Sequence, residues 1–186
     1  GTNITGKDAF DTFIEASRGS AIAPEAPNSR PGGPDFNGCP ASSIRKNRTF
    51  RVELARDLLP KIHDYITRFL AQHGQENEAG GMFVGEYLPD EAMKTGTFRI
   101  RGFIEAGPNA DFSAGSIQFD TEFQAAGLRL VQSEYPRAEN LGCYHRQPGH
   151  MDVCSSGDLI ADREAVCDSG TKALVFAIIT LNNTRH

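Results

Sequence analysis

The chain has 186 residues, of which 39% are hydrophobic and 23% charged, and its formal net charge at pH 7 is -5. This length suits one domain with its own core and a tail, and it is short for two domains. The acidic balance argues against a general nucleic-acid binder, and no apolar run reaches the roughly eighteen residues of a membrane span. The four cysteines form no Cys-x-x-Cys pair, and the first residues lack a secretory pattern, so we expect reduced thiols and a cytoplasmic protein.

The N-terminal part differs in composition from the rest. Residues 1–45 are predicted to be a flexible arm, because prolines and glycines crowd residues 23–34 and exclude a regular element there. A short amphipathic helix is predicted within this arm at Asp8–Ser17, where Phe10, Phe13 and Ile14 share one face. Residues 46–186 are predicted to form the folded domain.

Strands and helices alternate through the predicted domain. Alternating apolar residues predict strands, apolar residues at helical spacing predict helices, and Gly74 and Pro136 are predicted to end two of the helices. In chain order we predict a strand at Thr49–Leu54, a helix at Leu54–His73, strands at Gly81–Leu88, Thr97–Glu105 and Ser116–Asp120, a helix at Thr121–Glu134, a strand at Leu141–His145, a helix at Ser155–Cys167 and a strand at Ala173–Thr180. This order predicts an α/β fold with a mixed central sheet flanked by helices.

The segment from His145 to Asp158 carries the first chemical signal. His145 and Gln147 are two residues apart and therefore share a face if the strand continues. The Pro148-Gly149 turn reverses the chain, so the following helix can bring Asp158 to the same point. Imidazole and carboxylate side chains are zinc ligands, and a water bound to zinc becomes acidic enough to attack a carbonyl carbon.

Glu78 is the second signal, because it stands directly before a glycine-rich buried strand. Gly80 and Gly81 have no side chains and allow another strand to approach closely. The carboxylate is thereby predicted to lie at the entrance of the strand.

Together these segments resemble the JAMM (MPN, JAB, Mov34/PAD) family of metalloproteases. The family pattern is a glutamate before a Gly-Gly strand, then His-x-His-Pro-Gly, then Ser-x-x-Asp. The chain has Glu78-x-Gly-Gly, His145-x-Gln147-Pro-Gly and Ser155-x-x-Asp158, in the same order and at the same spacing. The resemblance covers roughly residues 49–180 and implies a single layered domain of the cytidine-deaminase-like type.

The resemblance also implies roles for these residues. His145 and Asp158 would be zinc ligands, Glu78 the general base, and Ser155 a hydrogen-bond donor to the oxyanion. Family members hydrolyse isopeptide bonds at the C-terminus of ubiquitin or ubiquitin-like proteins. The Glu-x-Gly-Gly strand is similar to that of bacterial deconjugating proteases, which implies a ubiquitin-like partner and association with conjugation enzymes.

The chain departs from the family pattern at Gln147, where the second histidine is expected. A neutral amide oxygen is a poorer zinc ligand than imidazole. Three hypotheses follow: a catalytically inactive scaffold that binds a ubiquitin-like protein or another partner, an enzyme impaired by one substitution, or a site completed by Cys154 or His150 as substitute ligand.

Simpler interpretations exist for the same residues. Ser155 and Asp158 match a helix-capping pair. Cys143 and His145 match a thiol nucleophile with its base, which predicts a metal-free cysteine hydrolase.

The loop at Gly107–Ser116 is predicted to hold the extended tail of a partner by strand addition.

Overall fold

The computed structural model describes residues 49–93, 95–149, 153–169 and 173–181. The predicted arm at residues 1–45 and its short helix lie outside the described residues. In chain order the described elements are β1 (Thr49–Leu54), α1 (Leu58–His73), β2 (Ala79–Asp90), β3 (Thr95–Glu105), β4 (Asp111–Phe112), β5 (Ile117–Gln118), α2 (Thr121–Glu134), β6 (Glu139–Arg146), α3 (Ser156–Ser169) and β7 (Val175–Ile178).

Five of these strands form one sheet in the order β1-β3-β2-β6-β7. Strand β2 is antiparallel to β3 and to β6, whereas β1 with β3 and β6 with β7 are parallel pairs. Strands β4 and β5 form a separate hairpin. The predicted α/β fold with a mixed central sheet is thereby confirmed.

The two helices before β6 cover opposite faces of the sheet. Side chains alternate between faces along a strand, so Phe83 points toward α1 while its neighbours Met82 and Val84 point toward α2. On the α1 side, Ile62, Ile66 and Leu70 pack with Phe83, Phe103 and Tyr144. On the α2 side, Val131 packs with Met82, Val84 and Ile104. This three-layer arrangement places the ends of β2 and β6 between helices.

Helix α1 begins at Leu58, four residues later than predicted. Leu54 belongs to β1, where it pairs with Ile100. Pro60 fits only the first turn of a helix, because it has no backbone N–H to donate. The prediction was therefore wrong about the first residue and correct about His73 as the last.

Gly80 and Gly142 lie where neighbouring strands leave no room for a side chain. A Cβ atom at Gly80 would lie 2.5 Å from the Tyr144 carbonyl oxygen and 3.2 Å from the His145 Cα and Cβ. Gly142 has φ 120°, a backbone conformation that L side chains rarely adopt, and a Cβ there would meet Val175. The expectation that the Gly-Gly segment permits close strand approach is confirmed at Gly80.

The cysteines differ in redox state. Cys143 and Cys154 are free thiols, whereas Cys167 is disulfide-bonded. The expectation of reduced thiols is therefore wrong for Cys167, and for Cys143 and Cys154 it stays a prediction. Separately, no helix in the described part of the chain combines the length and apolarity needed to cross a bilayer.

Candidate metal and catalytic site

The candidate site forms where β2 begins and β6 ends. The two strands are antiparallel, with Gly80 opposite His145 and Ala79 opposite Arg146. Continuing this register by one residue sets Glu78 beside Gln147. Because opposed residues of an antiparallel pair share a face, Glu78, His145 and Gln147 are brought to one end and one face of the sheet.

Asp158 reaches this point from the first turn of α3. Its Oδ1 lies 3.6 Å from His145 Nε2, and the two side chains are 18% and 13% exposed. Its Oδ2 accepts hydrogen bonds from Gln147 Nε2 at 2.7 Å and from the Ser155 backbone N–H at 2.6 Å. The structure thus gathers three of the sequence-predicted site residues, His145, Gln147 and Ser155, around the carboxylate of a fourth, Asp158.

Ser155 and Asp158 form the predicted capping pair. The Asp158 backbone N–H donates to Ser155 Oγ at 3.2 Å, while the Asp158 carboxylate accepts from the Ser155 N–H. Each side chain satisfies a backbone group that the first turn of a helix leaves without a partner. The cap fixes Asp158 relative to the end of β6, so it positions the candidate ligand as well as the helix.

The charges at the site favour cation binding. Burial alone would raise the pKa of Asp158, but hydrogen bonds from Ser155, together with His145 and Gln147, outweigh it and lower that pKa. Burial lowers the pKa of His145, although the Asp158 charge opposes the effect. At neutral pH the site therefore presents a carboxylate and a neutral imidazole, the protonation states that a metal requires.

Two buried polar atoms at the site form no hydrogen bond with the described residues. They are His145 Nε2 and Gln147 Oε1. An ionised carboxylate can only accept hydrogen bonds, so the Gln147 amide donates to Asp158 through its nitrogen. The amide oxygen is then left without a hydrogen-bond partner among the described residues. Buried polar atoms are normally paired, and both of these atoms carry lone pairs that a cation would bind.

The separation of His145 and Asp158 fits a single zinc ion. Two ligands held at about 2.1 Å in a tetrahedron lie roughly 3.4 Å apart, close to the observed 3.6 Å. Within the described residues, no three His, Cys, Asp or Glu side chains form a metal-binding group. The third donor beside His145 and Asp158 is the Gln147 amide, so the residues fit zinc with one weak ligand.

Of the two proposed substitute ligands, Cys154 alone belongs to the described part of the chain. Cys154 is exposed and forms no metal-binding group with other described residues. His150 lies outside the described residues. Completion of the site by either residue stays a prediction.

Glu78 is buried beside this group, with 5% of its surface exposed. Its carboxylate makes no hydrogen bond or ion pair with the described residues. Burial raises its pKa, and the negative charge of Asp158 raises it further. Its backbone N–H donates to the Ser113 carbonyl oxygen at 2.8 Å, which ties Glu78 to the β4–β5 hairpin. An unpaired, buried carboxylate with a raised pKa is suited to accept a proton.

The β4–β5 hairpin is itself fixed against α1. The Phe112 ring lies 4.9 Å from the Phe69 ring and 4.7 Å from the His73 ring, measured between centroids. Ser113 follows Phe112 directly, so the aromatic contacts also locate the carbonyl that binds Glu78. Sequence analysis predicted a strand at Ser116–Asp120 but missed the pairing of Asp111–Phe112 with Ile117–Gln118.

Asp162 is a site residue that sequence analysis missed. It lies one helical turn after Asp158 on α3, at the i+4 spacing that puts two side chains on one face. Burial raises the pKa of Asp162 to about 6, with a contribution from the Asp158 charge. The spacing of the two aspartates was a signal visible in the sequence.

Cys143 is unsuited to nucleophilic catalysis. Burial raises its pKa to about 12, and the charges of Asp162 and Asp158 add to the effect. The thiolate is the reactive form of cysteine, and this environment suppresses it at neutral pH. The structure argues against the cysteine-hydrolase hypothesis.

We expect Asp162→Asn to raise the free energy of unfolding at pH 7 by about 1 kcal/mol, after allowing for solvent screening of a half-buried carboxyl group. The folded pKa of about 6 exceeds the ordinary value of 3.8. Stability is therefore lost as pH rises from about 4 to 6, and the full penalty acts at pH 7. Denaturant unfolding at pH 4 and pH 7 checks this, with Glu164→Gln on the same helix as control. Equal effects of Asp162→Asn at both pH values would contradict it.

No protein-family model matches the chain, and no curated protein matches it in sequence. The motif residues and the geometry that the fold gives them therefore carry the functional information in this chain. That geometry defines a candidate cation site with an adjacent proton acceptor.

Proposed function

We propose that this domain is a zinc-dependent isopeptidase or peptidase of the JAMM type, acting at the C-terminus of a ubiquitin-like protein. One observation carries the proposal: His145 Nε2 and Asp158 Oδ1 face each other at 3.6 Å beside the buried carboxylate of Glu78. A cation position next to a proton acceptor is the minimum that metal-assisted hydrolysis requires.

Each residue has a distinct task in this proposal. His145 and Asp158 would hold the zinc ion, and the Gln147 amide oxygen would be a weak third ligand. When bound, zinc supplies Lewis acidity and lowers the pKa of a coordinated water. Glu78 accepts the proton of the attacking water and returns it to the departing amine, for which its raised pKa is favourable. Ser155 is exposed, and its hydroxyl donates to the oxygen that becomes negative.

The β4–β5 hairpin beside Glu78 supports an extended peptide as the substrate. Strands β4 and β5 pair only with each other among the described strands. A two-stranded hairpin has unpaired backbone groups at its edges, which an extended peptide can join by strand addition. A hydrogen bond joins the Glu78 backbone N–H to the hairpin at Ser113. A peptide tail added to the hairpin would therefore run toward the proposed catalytic groups.

A scaffold that binds a ubiquitin-like protein without cleaving it is the second candidate. The hydrogen bond from Gln147 Nε2 to Asp158 Oδ2, at 2.7 Å, favours it. This bond and the Ser155 cap give Asp158 polar partners in the metal-free protein, so its carboxylate is not left unpaired there.

The test is cleavage of a ubiquitin-like protein that carries a short C-terminal peptide, with added zinc and with chelator. We expect slow cleavage that zinc supports and chelator abolishes. Zinc-independent binding of the same protein without cleavage would favour the scaffold. Absence of both cleavage and binding would contradict both candidates.

A further inference from the structure

A cavity of about 350 Å³ lies on the α1 side of the sheet, at the end of β6. Arg146 lines it and alternates with His145 along β6, so the two side chains point to opposite faces. Arg146 and His145 therefore face different sites, although Gln147 lines the cavity and also contacts Asp158 of the cation site. Its volume falls at the lower end of the range for small-molecule sites, roughly 300–1,000 Å³.

Arg146 gives the cavity its chemistry. Its side chain is buried, with 9% exposed, and its Nη1 donates to the carbonyl oxygens of Gln75 at 2.8 Å and Asn77 at 3.2 Å. Among the described residues, no carboxylate pairs with it, and its Nε and Nη2 make no hydrogen bond. A buried guanidinium without a counter-charge is energetically costly, and an anion would offset that cost.

The free edge of the guanidinium selects the kind of anion. Nε–H and Nη2–H are parallel donors, and their spacing matches two oxygens of a carboxylate or of a phosphate group. The hydroxyl-bearing residues Thr67 and Thr180 also line the cavity. Leu70, Ile179 and Leu181 line it as well and offer apolar surface. Burying the single charge of a carboxylate costs less than burying a phosphate group, so beside this apolar lining we expect a carboxylate attached to an apolar body.

We propose that this cavity binds a small carboxylic acid with an apolar body, with its carboxylate on the Arg146 guanidinium. Two sources have this chemistry: a free organic acid and the C-terminal residue of a peptide. The proposal does not depend on the proposed function, because it rests on the Arg146 guanidinium, whose hydrogen bonds go to Gln75 and Asn77 and not to cation-site residues.

Calorimetric titration tests the proposal with N-acetyl-leucine and its amide, which differ only in the carboxylate. We expect saturable binding of the acid, at least about tenfold tighter than that of the amide. Arg146→Lys keeps the charge but removes the paired donors, so it should weaken acid binding by about tenfold or more. Arg129→Lys, at an exposed position on α2, should leave binding unchanged. Ala-Ala-Leu with a free or amidated C-terminus then distinguishes a peptide from a free acid.

A second variant guards against misfolding of the Arg146 variant. Thr67 is exposed on α1 and lines the cavity, so Thr67→Phe should fill the space without disturbing the core. We expect this variant to melt at an unchanged temperature and to lose binding of N-acetyl-leucine. Equal affinity for acid and amide, binding that survives in folded Thr67→Phe, or no saturable binding of the acid would each overturn the proposal.

Discussion

Gln147→His is expected to raise the zinc affinity of the site by at least about a hundredfold. The rate of zinc-dependent cleavage is expected to rise as well. Substitution of a residue that hydrogen-bonds to a metal ligand lowers metal affinity by about 10- to 100-fold. Replacement of a ligand itself lowers it further. An imidazole at position 147 would be a third strong donor beside His145 and Asp158. Competition with a chromogenic chelator measures the affinity.

The local structure predicts that the replacement is tolerated. Gln147 lies just beyond β6 and is 4% exposed, so its position is fixed by the strand and its neighbours. The main loss is the 2.7 Å hydrogen bond from Gln147 Nε2 to Asp158 Oδ2. The Ser155 N–H continues to donate to the same oxygen, so Asp158 keeps a partner in the metal-free protein.

A surface histidine provides the control for this result. Gln72→His introduces the same side chain at an exposed position on α1 and should change neither zinc affinity nor cleavage. If Gln147→His and the unaltered chain both bind zinc weakly, position 147 is not a ligand position, and the zinc assignment should be withdrawn. If both forms bind tightly, another residue completes the site.

Local signals in the sequence were sufficient to predict most of the fold. Helix α2 matches its predicted bounds of Thr121–Glu134 because both ends have local signals. At the start, Asp120 accepts a hydrogen bond from the Phe123 N–H at 3.0 Å, and after the end, Pro136 prevents continuation. Strand β1 also matches its predicted bounds, because its alternating pattern ends where the chain turns into α1.

The pairing of distant segments could not be predicted from local patterns. The β4–β5 hairpin consists of two-residue strands, which are too short to show a period of two. The bond between Glu78 and Ser113 joins residues 35 positions apart in the sequence, and it depends on the hairpin folding back. The geometry around Asp158 likewise required the register of β2 with β6.

The motif predicted which residues form the candidate site, but it did not predict the pKa shifts of those residues. The spacing identified Glu78, His145 and Asp158, which the fold then brought to one end of the sheet. Desolvation sets the direction of most of the pKa shifts there, and it depends on packing that a sequence does not display. Asp162 was missed for this reason, because an aspartate on a helix is usually a solvated residue.

Glu78→Gln is expected to reduce cleavage by about 10²- to 10⁴-fold while zinc affinity is retained. The amide keeps the size of the side chain but cannot accept the proton. The raised pKa of Glu78 also predicts that activity falls as pH drops through a value above that of an ordinary glutamate. The rate of cleavage as a function of pH, measured in Gln147→His to give adequate signal, checks both expectations.

Stability separates this catalytic loss from simple misfolding. A carboxyl group whose folded pKa is raised destabilises the fold once it ionises, so stability is lost as pH rises from its unfolded pKa through the higher folded value. Glu78→Gln removes that loss and should leave the protein at least as stable at pH 7. Glu76→Gln, at an exposed position two residues away, should change neither cleavage nor stability. A Glu78→Gln protein that is stable, binds zinc and cleaves at the unaltered rate would show that Glu78 is not the base, whereas a stable but inactive protein would place the loss in proton transfer.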